Sequence, residues 1–419
     1  MPSMLKPCIR FTKKRKLSSF CDFILADAPA RAKHIRHLEF NSMGEIDDDE
    51  LVEKFAQVLE QATSIERLEF NQCDDFIASS EQISEAFARL KSVKYLKIHD
   101  ADSATVDMVK HMQSPVEDVF LSVNGSSDAD QDPVSILSSF QQTLRRLYTW
   151  TPDFSDDTQD ITYPNLHTLD ATFWNNIDMA PMIRAFPNLR KLSLYLQGFD
   201  DGGLEEEKEE IREKNEQAQE AARWAHLEQV HADDINLFIS ALKADVDAID
   251  LDLNWQSEAE SITTILGDAR PTRLNFCYSS DWDNETEATE HITGLLEAAS
   301  ADVTHLYFTV RDIEDPEPLL TFLCEVMPTL PRLAGLSLEL TVKNGVKVSE
   351  EELASRFATA ASSLQSIVLS QPPSDSVSFW QIEKPEGDNE AAPRRLTEEE
   401  SEKLGIVVEP TFPAFDADC

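Results

Sequence analysis

The chain has 419 residues, 41% of them hydrophobic and only 11 of them glycine, so a fibrous or low-complexity protein is excluded and a large core is within reach. Its 37 Lys and Arg stand against 78 Asp and Glu, a formal net charge of −41 that repels phosphate backbones and argues against broad nucleic-acid binding. No apolar run is long enough to span a bilayer, and the charged N-terminus MPSMLKPCIRFTKKRKL lacks the apolar stretch of a secretion signal. A cytoplasmic or nuclear protein without membrane contact is expected.

Residues 1–34 read as an N-terminal strand and helix cap. The run Lys13–Lys16 is either a nuclear address or the solvated start of a capping helix. From Ile35 onward a pattern recurs: an apolar residue, two variable residues, a second apolar residue, one variable residue and a third apolar residue. It reads IRHLEF at Ile35, IERLEF at Ile65, VKYLKI at Val93, VEDVFL at Val116, LRRLYT at Leu144, LHTLDA at Leu166 and LRKLSL at Leu189. It continues as LEQVHA at Leu227, VDAIDL at Val246, PTRLNF at Pro271, VTHLYF at Val303, LAGLSL at Leu333 and LQSIVL at Leu364. The mean period over these thirteen motifs is a little over 27 residues. The second and third apolar residues lie two apart, so they share one face of a short strand, and the first also points inward.

Amphipathic stretches of helical period separate the motifs. In DELVEKFAQVLEQA, Leu51, Phe55, Val58 and Leu59 fall on one stripe, and Asp47 to Asp49 offer an N-cap. Strand, turn, helix and return make one unit that cannot bury its apolar face alone, and stacking such units is the leucine-rich-repeat solution. The fold class is therefore α/β: an irregular leucine-rich-repeat solenoid over residues 35–370, with parallel strands on the concave face and helices on the convex face. Regular repeats of this type carry Asn or Cys eight residues after the first apolar position. Only Cys73, Asn124 and Asn254 match here, which leaves the turn geometry open.

The charged segment 198–223 reads as an insertion. Gly198, Gly202 and Gly203 mark a loop, and ten acids and four bases over residues 200–223 suggest a solvated helix or a docking element for a basic partner. Residues 371–382 read as a capping strand with Phe379 and Trp380 over the last repeat. Residues 383–419 read as an acidic, largely disordered tail.

The N-terminal segment LKPCIRFTKKRKLSSFCDFIL, followed by HIRHLEF, resembles the junction between F-box and repeats in fungal, basidiomycete-type F-box/leucine-rich-repeat proteins, whose repeat domain is ribonuclease-inhibitor-like. The aromatic strand SVSFWQI resembles the strand that closes such solenoids. An F-box would lie upstream of Leu5, where four residues stand, so the resemblance implies a repeat domain without its F-box. It also implies the substrate-receptor role of a ubiquitin ligase of the SCF type, with an adaptor partner if an F-box exists upstream.

Residues two, four and six places after the first apolar position should face the concave surface. From the third to the seventh motif they include Tyr95, Lys97, Phe120, Arg146, Tyr148, Trp150, Lys191 and Tyr195. Aromatic and Arg residues clustered on one face are the composition of a binding hot spot, and the basic members suggest an acidic or phosphorylated segment as ligand. Asp233, Asp250 and Asp252 form an acidic stretch of the same face, read as solvated strand residues. His37, His99, His167, His231 and His305 fall in different repeats without ligand spacing, and six scattered cysteines suggest neither zinc nor disulfides. No nucleotide-binding, hydrolase or metalloprotease motif occurs, so no catalytic residue, cofactor or metal is expected. The function these features suggest is a monomeric, non-catalytic protein-interaction scaffold. The alternatives are a GTPase-activating regulator of the Ran type and an acidic chaperone for basic proteins.

Overall fold

The computed structural model describes residues 8–124, 130–174, 177–196, 205–253, 259–279, 302–313, 315–343, 348–371, 377–383 and 391–406. The chain divides into two compact units, Met1–Lys191 with Tyr195–Gly202, and Leu192–Leu194 with Gly203–Cys419. Each is built from leucine-rich-repeat-type units with its strands in chain order, so the α/β solenoid read from the motif period is the fold observed.

In the first unit the strands are β1 (Ile9–Phe11), β2 (His37–Asn41), β3 (Arg67–Asn71), β4 (Tyr95–Ala101), β5 (Asp118–Val123), β6 (Arg146–Trp150) and β7 (Thr168–Phe173). Each pairs in parallel with the next. The register places the second apolar residue of every motif in one row: Leu38, Leu68, Leu96, Val119, Leu147 and Leu169. All six are buried, as are the first residues Ile35, Ile65, Val93, Val116, Leu144 and Leu166. The row forms because a one-residue slip would turn every apolar side chain to the other face.

Helices close the apolar side. Helix Asp49–Gln61 starts at Asp48, whose carboxylate accepts from the backbone N–H of Glu50 at 3.0 Å and of Leu51 at 3.2 Å. Its Phe55 meets Phe40 of β2 with ring centroids 5.8 Å apart. Phe40 lies 5.2–5.5 Å from Phe11, Phe70, Phe76 and Phe87 as well. Lys14–Lys16 form the first turn of helix Lys14–Leu25, and Lys14 bonds Asp47 at 2.9 Å.

At or near the end of four strands a left-handed residue sets the turn that the weak Asn pattern left open. Ser42, Gln72, Asp100 and Thr151, each seven residues after its motif start, hold φ values of 48–55°. The backbone N–H of Ser42 donates to Asn71 O at 2.8 Å, that of Gln72 to His99 O at 3.0 Å and that of Thr151 to Thr172 O at 2.7 Å. A left-handed residue thus extends the inter-repeat ladder by one bond, which offsets its backbone strain. Cys73 is buried and its thiol lies 3.1 Å from Asn71 O, whereas Asn254 lies outside the described residues.

A further strand, β8 (Lys191–Leu196), contains the point where the chain passes from one unit to the other. The second unit comprises β9 (His226–Asp233), β10 (Asp245–Leu253), β11 (Arg273–Ser279), β12 (His305–Ile313), β13 (Gly335–Val342), β14 (Ser366–Ser370), β15 (Val377–Glu383) and β16 (Ala392–Leu396). From β9 to β14 pairing is parallel; β15 and β16 are antiparallel. At Gly335 an added Cβ would stand 2.5 Å from the His305 ring, so any larger residue on this rung forces that ring to shift.

Two segments differ from their sequence reading. Helix Glu205–Ala221 lies within the segment read as a solvated insertion, yet its Arg212, Asn215 and Gln219 are buried. Asn215 Nδ2 donates to Ile239 O at 2.8 Å, and Gln219 Nε2 donates to Ser240 O and Ala241 O, both at 2.8 Å. These carbonyls belong to the end of helix Asp234–Ser240, which stops at left-handed Ala241, so a polar helix face is buried by supplying the missing donors. Residues 198–204, the loop of that reading, lie outside the described residues.

The other difference is at the C-terminus, where β16 and helix Glu398–Lys403 occupy part of the expected disordered tail. Leu396 packs with Phe379 and Val368, joined by Ile406, and Thr397 and Glu400 form a capping box. Residues 384–390 and 407–419 of that tail lie outside the described residues.

Candidate functional site

The outward residues of β3–β7 form three rungs. The first holds Arg67, Tyr95, Asp118, Arg146 and Thr168; the second holds Glu69, Lys97, Phe120, Tyr148 and Asp170. Asn71 and His99 share the third on β3 and β4, and Ser122, Trp150 and Thr172 share it on β5–β7. Parallel pairing brings side chains some 28 residues apart in sequence to neighbouring positions, where large rings stack.

The second rung does so. The rings of Phe120 and Tyr148 lie 4.6 Å apart and nearly parallel, at 10°. Lys97 Nζ stands 5.4 Å from the Phe120 centroid. His99 stacks on Phe120 at 6.0 Å and meets Trp150 edge-on at 6.2 Å. Phe120 is consequently only 9% exposed, so it supports the surface rather than anchoring a partner itself. Tyr148 and Trp150 are half-buried, so both keep part of their surface open to solvent. Burial, with the Asp170 charge adding, pushes the Tyr148 phenol pKa up, so it stays a neutral donor.

The first rung corrects the expected cationic character. Arg146 donates from Nε and Nη2 to the two oxygens of Asp118, at 2.7 and 2.6 Å, a bidentate pair that cancels its charge. Arg67 lies over the Tyr95 ring at 4.0 Å and donates to Glu69 at 2.6 Å. Glu69 is buried, which by itself raises its pKa, but hydrogen bonds from His37 and Arg67 outweigh burial and hold it below its ordinary value. Lys191 and Tyr195, half-buried on β8, come after the Thr168, Asp170 and Thr172 of β7.

At the end of these strands opens a cleft of about 780 Å³, lined by His99, Asp100, Trp150, Asp153, Phe173, Trp174 and neighbours. Trp174, which follows β7 directly, is 55% exposed. Sequence reasoning overlooked Asp118, Asp153 and Trp174: the first needs the register of two strands, and the others follow the motif rather than belong to it.

In the second unit, Asp250 is buried and Asp233 half-buried, while Asp252 is exposed. The expectation of three solvated carboxylates therefore holds only for Asp252. Asp250 accepts from Gln229 Nε2 at 2.7 Å, and Asp233 caps helix Asp234–Ser240 by accepting from Asn236 N at 2.8 Å. Burial, with the charges of Asp234 and Asp252 adding, pushes the Asp233 pKa up to about 7. Among the described residues no group of three His, Cys, Asp or Glu is placed to hold a metal ion. The cysteines among them are free thiols, and no helix among them is long and apolar enough to cross a membrane.

No family model matches the chain, and no curated protein matches it. Among solved structures it is similar to the leucine-rich repeat-containing protein LegL7 from Legionella pneumophila, at 12% identity and a TM-score of 0.31, covering 81% of this chain and 84% of that one. The fold class stands on the strand order and register of the chain itself.

Proposed function

We infer that the chain is a non-catalytic interaction scaffold whose strand face, around Tyr148 and Trp150, seats a protein partner. The observation that carries this reading is the stack of Lys97, Phe120 and Tyr148, with Trp150 beside it at the rim of a 780 Å³ cleft. Rigid aromatic side chains fixed by strands present contact area at little entropic cost, and such residues dominate binding energy where they meet a partner. Tyr95, Arg146, Lys191 and Tyr195 complete the contact face. Affinity capture with the wild type and with the double variant Tyr148→Ala, Trp150→Ala tests it. Loss of specific partners from the variant supports the face; an unchanged set removes it.

The resemblance to F-box/leucine-rich-repeat proteins gives this scaffold a finer role, as the substrate receptor of an SCF-type ubiquitin ligase. Its support is the recurrent motif and the closing aromatic strand Val377–Glu383. Co-purification of the F-box-binding adaptor and a cullin would support that role, and their absence alongside other specific partners would retire it.

A further inference from the structure

The cleft at the ends of β4–β7 has a chemistry of its own. Its acidic lining residues are Asp100 and Asp153, and no Lys or Arg is among the described residues that line it. Asp100 stands on one of the left-handed turns, at φ 55°, and accepts from Gln72 Nε2 at 2.9 Å, with His99 Nδ1 3.1 Å away. Asp153 is exposed and has no ion pair among the described residues. Trp150 and Trp174 line the same cleft, and Trp174 is the most exposed of the large apolar side chains described.

Two indoles and two carboxylates around one concavity match a cation. The electron-rich ring face attracts an ammonium or guanidinium group, and a carboxylate supplies a charge-assisted hydrogen bond. A phosphate or an acidic peptide would meet repulsion here, and a purely apolar ligand would strip water from the carboxylates without replacing it. From β4 to β7 is three strand spacings, ~14 Å, enough for one extended side chain and its flanking backbone. The net charge of −41 works in the same direction over longer range.

We propose that this cleft is a subsite for an arginine or lysine side chain of the protein partner. The assignment rests on the scaffold reading above and names the chemistry of its partner. It gives Trp174 and Asp153 a role that the ring stack leaves unassigned.

A chain this acidic attracts basic peptides everywhere, so the experiment must isolate the cleft. Fluorescein-labelled peptides, identical except for a central Arg, Lys or Glu in an uncharged sequence, are titrated by anisotropy at roughly physiological salt, where diffuse surface attraction is screened. The Arg and Lys peptides should bind saturably and the Glu peptide should not. Trp174→Ala and Asp153→Asn, both at exposed positions, should each weaken binding roughly three- to tenfold, while Glu60→Gln on a distant helix leaves it unchanged. A preference for Arg over Lys, or the reverse, identifies which cation the cleft favours, and either supports the subsite. Equal binding of the basic peptides to the wild type and both cleft variants would overturn it, as would binding of the Glu peptide or no binding at all. If the peptides ignore Trp174 and Asp153 while captured partners still depend on Tyr148 and Trp150, the scaffold reading stands and the subsite falls.

Discussion

Replacing Gln219 by Met should destabilise the second unit by about 2–4 kcal/mol. Gln219 is 3% exposed, and its Nε2 donates its two hydrogens to Ser240 O and Ala241 O at 2.8 Å each, with Asn215 O a further 3.2 Å contact. Its Oε1 accepts from Lys243 N at 3.0 Å. Met fills a similar volume without a donor, so packing is largely kept while the two carbonyls at the end of helix Asp234–Ser240 lose their partner. Each buried orphan costs about 1–3 kcal/mol. The contact with Asn215 O adds little, and Lys243 N lies nearer the surface, so the two carbonyls dominate the sum. Urea unfolding by circular dichroism gives the stability change, and hydrogen exchange of the Asp234–Ser240 amides localises it. If Gln219→Met and Gln219→Glu both unfold within ~0.5 kcal/mol of the wild type, helix Glu205–Ala221 is not docked in solution. The segment would then be the solvated insertion that its composition suggests.

Other consequences follow from single side chains. Asp233, raised from its ordinary 3.8 to about 7 by burial, binds a proton in the folded state that the unfolded state has released between those values. Stability should therefore be greatest below about pH 4 as far as this group goes, and decline as pH rises through about 7; Asp233→Asn should flatten that slope in pH-dependent urea titrations. Phe40→Ala removes a fully buried ring from among five others and should cost about 3–5 kcal/mol, read as a lowered urea midpoint. Gly335→Ala drives a methyl group into the His305 ring and should cost about 1–3 kcal/mol, partly recovered in the double variant with His305→Ala.

Much of the fold was legible because its signal is local. The spacing of Ile35, Leu38 and Phe40 recurs in each motif, and the register lines the equivalent residues up strand by strand. Asp48 as a helix cap was equally local, a carboxylate just ahead of an apolar stripe. What escaped depends on partners distant in sequence. Arg146 reads as a cation until β5 places Asp118 beside it. Phe120 reads as an exposed anchor until Tyr148 and Lys97 cover it. The face of Arg212, Asn215 and Gln219 reads as solvated because its partners are backbone carbonyls, which leave no mark in sequence, and Asp268, which lies 56 residues beyond Arg212. The turn residues Ser42, Gln72, Asp100 and Thr151 share a conformation without sharing a side chain, so no ladder of one residue type announces them.

Partner binding at the Tyr148–Trp150 face is read out by quantitative affinity capture with wild-type chain and the Tyr148→Ala, Trp150→Ala variant. Circular dichroism must first show the variant folded, as expected because both residues lie on the outward face of β6. One or more specific partners should fall roughly tenfold or more in recovery while others stay constant. Recovery of the same partners in the same amounts would place binding elsewhere on the chain and remove this face as the binding site.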